Sequence, residues 1–146
     1  MKYEIFKHRL ILLFEMPRIG HIILNVSDFD QSEEFYDRIL LKIGFETDYR
    51  EKSNDWSAKS YKLREHNVWI KSELSQISLP FVRNVGLDHL AFFVDSADFV
   101  DEIFHDLTVM GAKITRAPRH YPEYSPQYYA IYFRDPDGIP LEVAFK

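Results

Sequence analysis

Two histidines and one glutamate stand out in this chain for the places they occupy. His21 lies near the start of the apolar run Ile19-Gly20-His21-Ile22-Ile23-Leu24-Asn25-Val26, and His89 near the start of Gly86-Leu87-Asp88-His89-Leu90-Ala91-Phe92-Phe93-Val94. Glu142 is the single acid inside Ile139-Pro140-Leu141-Glu142-Val143-Ala144-Phe145. All three runs read as β-strands. An ionised carboxylate within an apolar strand is costly unless something positive sits against it. Two imidazoles and a carboxylate are the donor types of a 2-His-1-carboxylate metal site, which leaves coordination positions open for substrate or water. The residues also have a plainer reading. Strand histidines commonly serve as hydrogen-bonded structural groups, and Glu142 has Arg134 close by in sequence as an ion-pair partner.

An internal repeat favours the metal reading. A shift of 68 positions carries His21 onto His89, Val26 onto Val94, Glu34 onto Glu102 and Phe35 onto Ile103. Such a repeat marks a duplicated supersecondary unit whose halves need each other to bury their sheets. Shared apolar residues follow from packing alone, whereas a shared histidine does not.

The elements around these residues follow the same duplication. Asp28 and Gln31 form a capping pair, so a helix opens there, with Phe35, Ile39 and Ile43 repeating every four residues and Tyr36 and Leu40 beside them. Gly44 stops it. Strands are expected over 45–50, 58–64 and 67–74, then a linker over 75–85. In the second half Asp95 or Ser96 caps a helix with Val100, Ile103, Phe104, Leu107 and Met110 inward, ended by Gly111. Strands are expected over 112–116, 128–134 and 139–145, the last two joined by the type I turn Asp135-Pro136-Asp137-Gly138. Each half is strand–helix–strand–strand–strand. Period-two counting puts His21, Ile23 and Asn25 on one strand face and His89, Ala91 and Phe93 on the equivalent one.

At 146 residues and a net charge of −5, the chain suits one globular domain and lacks the basic surface that general nucleic-acid binding needs. It has no cysteine, which excludes thiol catalysis, disulfides and cysteine-ligated metal, and fits a reducing cytoplasm. No apolar run approaches the ~20 residues that span a bilayer. Organised sequence begins after Met16, so residues 1–15 read as an N-terminal extension. Residues 16–146 read as one domain: module one 17–74, linker 75–85, module two 86–146.

Together, Gly20-His21-Ile22-Ile23-Leu24-Asn25-Val26-Ser27-Asp28, Phe35-Tyr36 and Gly44-Phe45, with Leu87-Asp88-His89-Leu90-Ala91-Phe92 and Asp135-Pro136-Asp137-Gly138 through Leu141-Glu142, resemble the glyoxalase/bleomycin-resistance/dioxygenase group, the vicinal oxygen chelate superfamily. The resemblance covers about residues 17–146 and is strongest for small uncharacterised members. It implies an α+β fold of two tandem βαβββ modules forming a cupped mixed sheet, with a divalent metal (Zn, Ni, Mn or Fe) on His21, His89 and Glu142. It also implies a homodimer. A fourth family ligand would fall at Trp69, which cannot serve, and this favours three-ligand types over four-ligand lyases and epimerases.

The stretch Arg116-Ala117-Pro118-Arg119-His120-Tyr121-Pro122-Glu123-Tyr124-Ser125-Pro126-Gln127-Tyr128-Tyr129 reads as a proline-stiffened mouth loop for a polar or anionic substrate, or as a surface connection whose tyrosines pack on the sheet. His120, Tyr121 and Tyr129 are the candidate acids or bases. Asn25, Trp69, Phe93, Arg116, Arg119 and Tyr124 are expected to line the substrate. The expected activity is that of a metal-dependent lyase, isomerase or dioxygenase, the metal acting as a Lewis acid on a small molecule chelated through vicinal oxygens. The alternative is a non-enzymatic resistance protein that holds a drug or aromatic ligand in the same cup.

Overall fold

The computed structural model describes residues 18–75 and 79–146; the expected extension over residues 1–15 lies outside them. Strand β1 (Ile22–Asn25) leads to Asp28, whose extended backbone and side chain cap helix α1 (Phe29–Tyr36) by accepting the Gln31 N–H at 3.0 Å. The helix widens into a π-helical turn, Asp37–Leu41, and Gly44 (φ 99°) releases the chain in a conformation that only glycine adopts easily. Strands β2 (Glu46–Lys52), β3 (Trp56–Leu63) and β4 (His66–Glu73) complete module one.

Module two repeats the plan with β5 (Leu90–Phe93), α2 (Ala97–Val109), β6 (Lys113–His120), β7 (Tyr129–Arg134) and β8 (Pro140–Phe145). Ser96 caps α2, its hydroxyl accepting the Phe99 N–H at 3.1 Å. The strand orders are β1-β4-β3-β2 and β5-β8-β7-β6, with β1/β4 and β5/β8 parallel and the other pairs antiparallel. The expected α+β class and the two βαβββ modules are present. The eight strands form two sheets of four, and β1 and β5 each end one of them.

Strand β6 runs four residues past its expected end at Arg116, so the first part of the presumed mouth loop is sheet. Pro118 is tolerated because β6 is an edge strand, and its pairing with β7 slips twice between Ile114 and Arg119. Among the described residues no helix is long and apolar enough to cross a membrane.

One core joins the modules. Leu24, Val26, Tyr36 and Leu40 from the first half cluster with Val100, Ile103, Phe133 and Leu141 from the second. Ring contacts cross the boundary, Phe35 with Phe133 at 6.2 Å and Phe45 with Phe92 at 6.0 Å. Polar clasps cross it as well: Lys42 Nζ lies 2.8 Å from Asp106 Oδ2, and the Ser27 N–H donates to Asp137 at 2.9 Å. The modules therefore meet through their helix-side faces. On the opposite faces, which point outward, Ile23, Asn25, Ala91 and Phe93 are exposed.

Within module one, α1 is tied to β3 by charge. Lys59, only 5% exposed, lies 3.0 Å from Glu33 and 2.7 Å from Asp37. Glu33 also meets Arg50 at 2.6 Å, and chiefly because of Arg50 its carboxyl is held at about 2.

The deepest clasp between modules is Asp135. Its Oδ2 accepts the Tyr36 hydroxyl at 2.8 Å, and its Oδ1 accepts the N–H groups of Ile139 at 2.7 Å and Asp137 at 3.0 Å. Burial pushes its pKa up to about 6, against the pull of those hydrogen bonds. The folded state thus keeps the proton to higher pH than the unfolded chain, where aspartate titrates near ~3.9. The stability contributed by this protonation is complete below about pH 4 and is lost as pH rises through about 6. Asp135→Asn should remove that loss. Between about pH 4 and 7 the urea-unfolding difference should shift toward the variant by about 3 kcal/mol; a difference flat across that range would contradict the assignment.

Candidate functional site

Strand register assembles the site. In the second sheet Ala91 lies beside Glu142, Glu142 opposite Tyr132, and Tyr132 opposite Arg116. The next row along the same face is Phe93, Ala144, Ala130 and Arg119. His89 precedes Ala91 by two positions and shares its face.

Glu142 is 2% exposed, and three groups meet its carboxylate. His89 Nε2 lies 2.9 Å from Oε2, the Tyr128 hydroxyl donates to Oε1 at 2.7 Å, and Tyr132 stands beside it as the cross-strand neighbour. Arg134, the sequence-level candidate for an ion pair, instead donates to the Gly138 carbonyl at 2.6 Å. Burial first, and then the neighbouring Glu142 carboxylate, pushes the Tyr128 and Tyr132 phenols up, so both keep their protons.

The other nitrogen of His89, Nδ1, lies 2.7 Å from Asp88 Oδ1. Both ring nitrogens thus face carboxylate oxygens, which only accept. With Nδ1–H donated to Asp88, a proton or another cation must stand between Nε2 and Glu142. A carboxylate behind the imidazole is the arrangement that fixes the tautomer of a metal-ligating histidine.

The tyrosine stretch closes over this face. Tyr121 forms a small buried cluster with Ala130 and Ala144, whose short side chains leave room for its ring. Three turn bonds hold the segment: Tyr121 N–H to the Tyr128 carbonyl, Tyr124 N–H to that of Tyr121, and Tyr128 N–H to that of Ser125. Tyr124 stacks on Tyr121 at 5.8 Å, and Phe93 meets Tyr128 edge-on at 6.3 Å. The Tyr121 hydroxyl is buried without a hydrogen-bond partner of good geometry.

The remaining sequence candidates lie elsewhere. His120 and Tyr129 pair across β6 and β7 with rings 4.9 Å apart, and Tyr129 donates to Asp101 of α2 at 2.9 Å. Both are on the helix side of the sheet, away from Glu142. Asn25 and Trp69 belong to the outer face of module one, where Trp69 packs on Tyr49 at 5.4 Å. His21 is exposed just ahead of β1, and among the described residues no three His, Asp or Glu side chains are placed to hold a metal ion. The structure therefore brings His89 and Glu142 together and leaves His21 apart, because the shared core turns the two outer faces away from each other. A cleft of about 730 Å³ between the modules, lined by Ile22, Phe45, Leu63, Phe92 and Phe99 among others, includes neither His89 nor Glu142.

Sequence reasoning passed over Asp88, Tyr128 and Tyr132 as parts of the site. Period-two counting from Tyr132 through Ala130 of β7 to Tyr128 just ahead of it carries the signal for the two tyrosines.

The family model for the Glyoxalase/Bleomycin resistance protein/Dioxygenase superfamily matches residues 18–143. The chain belongs to that superfamily. It is 32% identical over 124 residues to the uncharacterized protein YqjT of Bacillus subtilis, covering 84% of this chain and 94% of that one. A crystal structure of a putative glyoxalase from Bacillus halodurans is similar at TM-score 0.73 and 27% identity, over 90% of this chain and 97% of that one. The fosfomycin resistance protein FosX of Listeria monocytogenes, solved with Mn(II) and sulfate, shares the fold at TM-score 0.64 and 18% identity, over 90% and 94% of the two chains.

Tyr128→Phe should cost about 1–2 kcal/mol in urea unfolding, because the buried carboxylate loses a charge-assisted donor. An unchanged midpoint would show that Tyr128 does not hold Glu142.

Proposed function

We propose that this protein is a divalent-metal-dependent enzyme acting on a small molecule chelated through adjacent oxygens, with the metal held by His89 and Glu142 of one copy and His21 of a second. The observation that carries this reading is the carboxylate at each nitrogen of His89. A divalent cation between Nε2 and Glu142 would satisfy both acceptors and offset the cost of burying the carboxylate. Within one copy two of the three donors fit, and the third does not reach. Both β1 and β5 are outer strands with exposed apolar side chains, Ile23 and Phe93. A symmetric homodimer that sets β1 of each copy beside β5 of the other would complete the donor set twice.

Imidazole with carboxylate suits Zn, Ni, Mn or Fe. Bound there, the ion would supply Lewis acidity toward substrate oxygens, as lyase or isomerase chemistry requires, whereas dioxygenase chemistry would also need a redox-active ion such as Fe or Mn. Asp88 orients His89, while Tyr128 and Tyr132 hold Glu142 in place. Of the three acid–base candidates, Tyr121 is the one beside this face. A cytoplasmic setting suits a chain without cysteine. The second reading, a non-enzymatic binder of an aromatic or drug-like ligand, draws its support from the tyrosine wall.

Metal content after loading and desalting tests both. Glu142→Ala should lose the metal, and His21→Ala should lose it too although His21 stands apart from the pair within one copy. Mixing the two variants should restore partial loading, because a heterodimer keeps one intact site. A Glu142→Ala protein that retains metal sinks the metal reading; no restoration on mixing sinks the two-copy arrangement. Wild-type protein that takes up no metal yet binds an aromatic ligand would favour the second reading.

A further inference from the structure

Two arginines on the outer face of module two remain without a role in that reading, and a further cation there, Lys146, lies over the Phe93 ring, 4.2 Å from its centroid. Arg116 and Arg119 share this face with Glu142, in adjacent rows of the sheet. The Arg116 guanidinium lies over the Tyr132 ring, 5.3 Å from its centroid, and that of Arg119 over Tyr121 at 4.4 Å. Among the described residues neither is in an ion pair, although the chain carries an excess of five negative charges. Acids are plentiful and pair with Lys42, Arg50, Lys52, Lys59, Lys71 and Arg83 instead.

We infer that the arginine-flanked tyrosine wall of module two binds a small aromatic acid, one ring bearing a carboxylate or phosphonate. A guanidinium seated over an aromatic ring keeps N–H donors for a planar or tetrahedral anion, and it is more weakly hydrated than an ammonium. Tyr124, 59% exposed, offers ring surface within the same cluster of aromatic contacts, and Phe93, 54% exposed, offers what the Lys146 ammonium leaves uncovered. The buried negative charge does not oppose such a ligand. Glu142 is screened by His89, Tyr128 and Tyr132, and β6 lies two strands away, roughly 9.5 Å at the usual spacing.

Two arginines lying on tyrosines can also be surface packing with no ligand, and binding measurements separate the two. The test uses full-length protein in EDTA, so it does not depend on a metal. Benzoate and phenylphosphonate are titrated by calorimetry or ligand-observed NMR against benzamide, which matches benzoate in shape without the charge. The acids should bind saturably and weaken with added salt, and the Arg116→Ala/Arg119→Ala double variant should lose about tenfold or more in affinity. Benzamide should bind more weakly and be indifferent to salt and to the variant. If benzamide matches benzoate, if the acids do not bind saturably, or if a double variant with an unchanged thermal melt binds benzoate as wild type does, the inference is overturned. Should the variant fold poorly, the salt dependence of wild-type binding decides by itself.

Discussion

The buried carboxylate of Glu142 is the constraint around which module two is arranged. An anion in the middle of β8, covered to 2% exposure, has to be met by donors or cations from its own sheet. The strand register supplies them, since Tyr132 is its cross-strand neighbour and His89 stands two residues before the strand position beside it. Tyr128 adds a third contact from the end of the loop. Alanines at 130 and 144 then open the space that Tyr121 fills, so one buried charge and two small residues together determine where the aromatic wall stands.

A second constraint acts on the whole chain. Each sheet packs its helix side into a single core that the two modules share. Asp135 and Lys42 fix that contact with directional bonds. The consequence is functional: once the modules join through those faces, the outer faces cannot meet within the chain. The same repeat therefore yields unlike surroundings. Module one presents Trp69 and Tyr49 where module two presents the His89–Glu142 pair.

Much of this was legible in the sequence because it is set locally. Asp28 and Ser96 act as caps where their spacing to Gln31 and Phe99 predicts, and the Asp135–Gly138 turn joins the last two strands as expected. Glu142's need for a positive partner could also be read, although the sequence offered a metal shared with His21 and His89, or Arg134, and the structure sets His89 itself against the carboxylate. The proline stretch was harder. Simple alternation from Arg116 puts His120 on the same face, but the register slips in β6 break that parity. They leave Arg119 facing Ala130 and turn His120 toward Tyr129 on the helix side. A bulge leaves no clear mark in side-chain pattern, so neither the length of β6 nor the sidedness of its last residues could be counted out beforehand.

By itself the sequence determined the duplicated βαβββ order, the caps and turns, and the superfamily. These rest on periodicity and on interactions that are short-range in the chain or repeated within it. Tertiary structure alone decided which sheet faces meet, which hydroxyls reach Glu142, and that His21 stands apart from His89. Both faces of β1 and β5 carry apolar residues, so hydrophobic pattern does not choose between them; the choice falls to the side on which the two helices can share a core.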